Sequence, residues 1–465
     1  MLRINIIRAV FVLLFALFLS FNALLAQESF TLQQAIDYGI KNSTAMRNIE
    51  LDKSDAEFQI KETASIGYPQ LNGQIGLTRY LQVPKSIIDN TKFPGFDQSV
   101  LPAPYNMGSI DDIPGEFRYS EFTTGVKNTF SGQLDFSWLL YDRTYNIGLK
   151  AAKQLRKLVG SQVDAIKLDI TNNIRQAYTA TLIIDESKQT LENNIKNIDK
   201  TLFETRELYK AGFVEALDVE RLEFSRSNLD VELDKLEDQR GLMYNALKYQ
   251  MSYPVEEEII LIDNISTLLI SAFEVDINED IDITKRPEFQ IFQERYKINE
   301  FNLERFRAAY YPNLVGFGSY GLSLSRDRLF ADTDIGWLPA SLVGLQVNVP
   351  IFDGFKNKYT IERAKISVEK IKNEEVELRR VLELQAYNAR IEYKKVLQSI
   401  ATAKKNLILA ERIYDTTLIK YREGIGSSIE IIQAERDVYD AQASYNQAVY
   451  NLVVAKASLD NALGK

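Results

Sequence analysis

The chain has 465 residues, 45% of them hydrophobic, with no cysteine, no histidine and a formal net charge of −9. Without cysteine there are no disulfides, thiol nucleophiles or thiolate metal sites, and without histidine the usual near-neutral general base and the commonest metal ligand are missing too. The residue supply argues against an enzyme, no cofactor or metal site is expected, and so acidic a surface argues against nucleic acid as a partner.

Residues 1–26 read as an export signal. Arg3 and Arg8 form a basic start, Ala9 to Leu19 an apolar run, and Ala26 a cleavage point. An uncleaved membrane anchor competes with this reading, but the run is short and polar sequence follows at once. No cysteine follows the cleavage point, which excludes lipid attachment there. Loss of Arg3 and Arg8 takes the net charge from −9 to −11. No later stretch has the unbroken apolar length of a membrane helix.

A helix is expected from Thr31, with Gln34 as capping-box partner, to Pro69. From Leu71 the period changes to two: Leu71, Gly73, Ile75 and Leu77 face one way, Asn72, Gln74 and Thr78 the other. About 45 residues with little regular pattern follow, rich in proline, and a loop of that length is usually functional or mobile. A second alternating strand carries Phe130, Leu134, Phe136, Trp138 and Leu140 on one face. Two clean strands with Tyr68, Tyr80, Trp138 and Tyr141 at their ends fit the weak signature of outer-membrane strands. On alternation alone, a half-buried soluble hairpin fits equally.

From Asp142 to Ala211 the pattern is helical, roughly 100 Å at 1.5 Å per residue. Its seam includes Val163, Ile170, Ile174, Leu191, Ile195, Ile198 and Leu202, interrupted at Lys188. A return helix carries Leu222, Leu229, Leu233, Leu236, Met243 and Leu247. Pro254 closes this first repeat (27–254). Residues 255–286 form an acidic connector with short apolar runs, and the second repeat (287–465) then restates the plan. Tyr311-Pro312 matches Tyr68-Pro69 at an offset of 243, and PIFDGF (350–355) matches LLYDRT (139–144) at 211. Strands are expected at 314–324 and 342–352. KYREGIGSSIEIIQAERDVY (420–439) matches LYKAGFVEALDVERLEFSRS (208–227) at an offset of 212. Each copy is helix, strand, loop, strand, long helix, tight tip, helix, and such a repeat defines the architecture.

FTLQQAI near the start, YPQL and YPNL before the odd-numbered strands, PIFDG after the fourth strand and the two tip motifs together resemble TolC-type outer-membrane efflux proteins. The resemblance covers essentially the whole mature chain. It implies an α+β membrane protein: a homotrimer in which each chain gives four strands to a shared twelve-stranded barrel, and coiled-coil hairpins to a periplasmic helical tunnel. It further implies an outer-membrane exit duct for efflux or type I secretion that docks a periplasmic adaptor and an inner-membrane pump. Physical reasoning alone reaches a shared barrel, since four strands in lipid leave two open edges. Two, three or four subunits would satisfy it; the resemblance selects three.

By the same resemblance, residues just after the tip glycines narrow the inner mouth. Tyr421 stands three before Gly424 and Glu430 six after it, as the pattern requires, with Tyr209, Gly212 and Asp218 in the matching places of the first tip. Gln433 replaces a second acid, and Gly426 replaces a basic residue. Pore constriction is thereby expected of Glu430, Asp218, Tyr421 and Gln433, and adaptor docking of Tyr209, Gly212, Tyr421, Gly424 and Gly426. The competing reading of Asp218 and Glu430 is a solvated helix start, where a carboxylate is favoured by the dipole. Two other functions compete: an exported coiled-coil scaffold or adaptor without a pore, and a hydrolase using paired carboxylates. Strands with aromatic ends count against the first; the lack of histidine or any nucleophile motif counts against the second.

Overall fold

The computed structural model describes residues 28–464 other than 93, 104–105, 108, 124, 274–276, 278 and 329–335; the expected export signal lies outside the described residues. In chain order the main elements are β1 (Glu28–Phe30), α1 (Leu32–Asn42), α2 (Thr44–Ser65), β2 (Gln70–Arg79), β3 (Lys85–Asp89), β4 (Tyr119–Thr123), β5 (Asn128–Tyr141), α3 (Arg143–Lys210) and α4 (Ala216–Met251). There follow β6 (Ile259–Leu261), α5 (Ile265–Phe273), α6 (Pro287–Ala308), β7 (Asn313–Arg326), β8 (Leu338–Asn348), α7 (Lys356–Arg422) and α8 (Ser428–Leu463). Two compact units result, one comprising Ile60–Lys150 and Phe301–Ala364, the other the rest of the described chain.

In the first unit β2, β5, β7 and β8 form an antiparallel sheet in that order. Leu71 lies opposite Phe136, Gly73 opposite Leu134 and Leu77 opposite Phe130. Phe136 and Leu134 then lie opposite Gly318 and Tyr320, and Gly318 and Gly316 opposite Val343 and Leu345. Directly opposed residues share a face, so the apolar residues of β2, most of those of β5, and Tyr320, Leu322, Val343, Leu345 and Val347 gather on one side, while Val315, Phe317, Leu338 and Leu342 fall on the other. Gln70, Asn72, Gln74, Gln133, Asp135, Ser137, Ser319 and Ser323 lie on the other. The apolar side is uncovered in this chain: Ile75 is 79% exposed and Val343 89%. Among the described residues, β2 and β8 are each hydrogen-bonded along one edge only.

The proline-rich stretch between β2 and β5 has more order than its sequence suggests. β3 and β4 pair antiparallel, Lys85 opposite Thr123 and Asp89 opposite Tyr119. Asp89 accepts from Thr91 Oγ1 at 2.6 Å and from Arg118 Nε at 3.2 Å, and these bonds hold its carboxyl below the usual range. Five-residue strands about 30 positions apart are too short for periodicity to reveal.

The second unit opens on the capping box: Thr31 Oγ1 accepts from Gln34 N at 3.3 Å and Gln34 Oε1 from Thr31 N at 2.9 Å. The single expected helix is two, broken at Ser43, where the Asn-Ser-Thr run competes locally for its own backbone. Ile36, Met46, Ile49, Val163, Ile170, Ile174, Tyr178, Leu247 and Met251 form one core between α1, α2, α3 and α4. The connector is structured as well. β6 pairs parallel with β1, and Tyr178 places its hydroxyl 2.8 Å from Phe30 O and 3.0 Å from Asp263 Oδ2. A second core joins α5, α7 and α8 through Tyr393, Val396, Ile400, Leu452 and Leu459.

α3 has 68 residues and α7 has 67. Each starts on an aspartate from the matched motifs: Asp142 Oδ1 accepts from Thr144 N at 2.6 Å, and Asp353 Oδ2 from Asn357 N at 2.8 Å. The α3–α4 seam buries Leu191, Ile195, Ile198, Leu202, Leu222 and Leu236. Met243, expected in it, is 36% exposed. Lys188 bridges the two helices, 2.6 Å from Glu237, so the interruption in the apolar seam is an interhelical ion pair.

Candidate functional site at the hairpin tips

Both hairpins end in the same backbone motif. In the first, Gly212 N donates to Tyr209 O at 3.0 Å and Phe213 N to Leu208 O at 2.9 Å; in the second, Gly424 N donates to Tyr421 O and Ile425 N to Lys420 O, both at 3.0 Å. These are Schellman closures, which need a left-handed residue after the helix. Gly212 (φ +82°) and Gly424 (φ +78°) supply it. Space is not the reason for glycine there, because a Cβ at either would meet nothing within 4 Å. Gly426 differs. A Cβ on it would lie 2.9 Å from Tyr421 N and 3.2 Å from Lys420 C, so the chain doubles back against its own helix end.

The tips are joined side by side within the chain. Tyr421 is buried, and its hydroxyl lies 2.9 Å from Thr205 Oγ1. Thr205 commits its own proton to Thr201 O at 2.8 Å, so Tyr421 is the donor in that pair. Burial chiefly, with Asp218 adding, keeps the Tyr421 phenol above its ordinary pKa. Arg422 grips Glu204 with two bonds, Nε to Oε2 at 2.9 Å and Nη2 to Oε1 at 3.3 Å. Ser428, fully buried, donates to Asp218 Oδ1 at 2.6 Å, with Arg221 Nη1 3.8 Å from the same oxygen. α7 thus holds α3, and α8 holds α4.

The expected site residues fall into three groups. Tyr421 and Asp218 belong to the junction between hairpins, and Gly426 packs against the end of its own helix. Glu430 and Gln433 are exposed on the first turns of α8, and Gln433 Nε2 donates to Asp437 Oδ1 at 2.8 Å. Glu430 N receives the Ser427 cap at 3.3 Å. Tyr209, Gly212 and Gly424 are exposed. Asp218 and Glu430, equivalent in the repeat, therefore do different things: one is hydrogen-bonded between hairpins and the other faces solvent.

Sequence reasoning missed Thr205, Ser428 and Glu435. Thr205 had a signal, since Thr417 stands 212 positions later. Glu435 is 6% exposed and its Oε1 has no hydrogen-bond partner among the described residues. Its counterpart Glu223 is exposed and paired with Arg206 at 2.6 Å. Leu418 stands where that arginine would be, so the second copy keeps the acid and loses its base. Burial pushes the Glu435 carboxyl up to about 7.

The family model for outer membrane efflux proteins matches residues 301–465. Nodulation protein T of Rhizobium leguminosarum bv. trifolii is 23% identical over 381 residues, 79% of this chain and 78% of the relative. Outer membrane protein TolC of Vibrio cholerae serotype O1 is 18% identical over 383 residues, 78% of this chain and 81% of the relative. Among solved structures, CusC, described for its folding and transmembrane channel formation, superimposes with a TM-score of 0.71 at 16% identity, covering 93% of this chain and 91% of CusC. The family match to residues 301–465, the relatives that cover over three quarters of the chain and the shared fold agree: the chain is similar to outer membrane efflux proteins and has their fold.

Proposed function

We propose that the chain is the outer-membrane exit duct of a tripartite efflux or type I secretion system. A homotrimer passively conducts substrate that an inner-membrane pump delivers through a periplasmic adaptor. The observation that carries this is the sheet of β2, β5, β7 and β8: one face rich in exposed apolar side chains, the other carrying most of the polar ones, and both edge strands half-bonded among the described residues. In lipid, unpaired edges are not tolerated, so further copies must complete the cylinder. A pore-less scaffold has no use for such a face. The relatives' names, outer membrane protein TolC among them, support the same reading. The duct performs no reaction. Its helical hairpins form the periplasmic tunnel, with the tips at the inner mouth and as the adaptor's docking site.

At that mouth Glu430 is an exposed carboxylate available to line the pore, while Asp218 and Tyr421 hold the hairpins together. Purified protein should be a detergent-stable trimer that conducts ions across a planar bilayer; a well-folded monomer by light scattering would sink the proposal. Three-fold assembly would ring the axis with Glu430, which favours cations most at low salt, where the Debye length is about 30 Å at 0.01 M. Glu430→Gln should then shift the reversal potential toward anions in a salt gradient. An unchanged value would place Glu430 outside the constriction.

A further inference from the structure

Glu435 is a buried acid without a base. In the first hairpin its counterpart Glu223 is held by Arg206 at 2.6 Å, whereas in the second Leu418 stands where that arginine would be. Glu435 is 6% exposed, and among the described residues its Oε1 has no partner. An unpaired buried carboxylate is costly to keep ionised. Either a proton or a cation from outside must therefore neutralise it.

Glu435 lines a cavity of about 310 Å³ between α3, α7 and α8. Asn194 of α3, Glu411, Tyr414 and Asp415 of α7 and Gln442 of α8 line it too, and among the described residues no basic side chain does. Glu411 and Asp415 are exposed and share one face of α7, a helical turn apart. Asn194 Nδ2 also lacks a partner, so its amide is free to turn an oxygen toward a guest. Glu435 borders a second cavity of about 630 Å³ as well, but there Arg221 of α4 and Arg436 of α8 stand against Glu232 and Asp440. Only the smaller cavity is lined by acids alone. Among the described residues no three acids gather closely enough to hold a metal ion, so the negative charge is spread along the cavity and suits an extended organic cation.

We propose that this cavity binds a small aliphatic diammonium ion. One ammonium takes the place of the missing arginine on Glu435, with the amide oxygens of Asn194 and Gln442 accepting its other protons. The second ammonium lies at Glu411 and Asp415, and the Tyr414 ring adds a cation–π surface. Every group involved belongs to one chain, so the site is complete without a partner subunit.

The probe is 1,4-diaminobutane, titrated calorimetrically into the detergent-solubilised full chain at constant ionic strength. Burial alone pushes the Glu435 carboxyl up to about 7, and Tyr414, pushed up to about 12, stays protonated throughout. Binding to ionised Glu435 expels the proton that about half the molecules carry near pH 7. Heats in two buffers of different ionisation enthalpy should therefore show about half a proton released per site near pH 7, and almost none near pH 8.5. Because the ionised carboxylate is the binding form, affinity should fall about tenfold from pH 8 to pH 6. Glu435→Gln keeps the shape and removes the charge, so it should weaken binding at pH 8 by about tenfold or more and abolish the proton release. Uncharged 1,4-butanediol should not bind. No binding of the diamine at pH 8 would overturn the proposal, and so would binding that survives Glu435→Gln and releases no proton, the mark of exposed carboxylates gathering the cation elsewhere.

Discussion

Glu435→Gln isolates the cost of one buried charge. The side chain is 6% exposed, its Oε1 lacks a partner among the described residues, and burial raises the carboxyl from 4.5 to about 7. A folded-state pKa above the unfolded one means the folded protein holds the proton more tightly. The stabilisation is complete below about pH 4.5 and is lost as pH rises through about 7. A shift of roughly 2.5 units corresponds to about 3 kcal/mol lost once the folded carboxyl ionises. Other groups line the cleft where it sits: Glu411, Tyr414 and Asp415 on α7, Arg436 and Asp440 on α8, and Arg221 and Glu232 on α4. Tyr414 moves with it, its phenol pushed up to about 12 by burial first and by Glu435 second.

Glutamine keeps the shape and removes the titration. Hydrogen exchange on tip peptides of α7 and α8, corrected for intrinsic rates, should match wild type within about 1 kcal/mol at pH 5. By pH 8 the variant should be the more protected, by about 100-fold, or close to 3 kcal/mol at 1.4 kcal/mol per tenfold. A difference between the proteins that does not change from pH 5 to pH 8 would refute the argument.

Tyr421→Phe removes the donor to Thr205 without opening a cavity, and should lower protection at both tips by about 1 kcal/mol, because Thr205 still donates to Thr201 O. Gly426→Ala drives a Cβ against backbone at 2.9 Å, so the tip must shift at a cost of about 1–3 kcal/mol, read as faster exchange over residues 420–431. Gly424→Val places a β-branched residue at φ +78°, which costs about 1–2 kcal/mol and should weaken adaptor crosslinking while outer-membrane insertion stays normal; wild-type crosslinking would remove the docking role.

Much of the fold was legible because long periodic elements state themselves. Strand β5 alternates over ten or more residues, and helices α3 and α7 run through many heptads, so errors of a few residues at their ends do not hide them. The capping box at Thr31 and Gln34 was readable because it is local. Where the pairing is between distant short segments, the sequence is silent. β1 with β6 and β3 with β4 are three to five residues each, held by partners far along the chain. The break at Ser43 falls in a short Asn-Ser-Thr run inside a pattern that is helical on either side, so periodicity does not mark it.

The site was less legible, for a reason the duplication itself creates. Tyr209 and Tyr421 are the same letter in the same motif, as Glu223 and Glu435 are, and the repeat invites one role for both. Physical surroundings separate them. Tyr421 is buried against Thr205 while Tyr209 stands 48% exposed, and Glu223 has Arg206 where Glu435 has Leu418. A motif match therefore finds the positions, and only the burial and partners of each copy say which are already spent holding the chain together. By that test Asp218 and Tyr421 belong to the junction, and Glu430 is the acid left facing solvent.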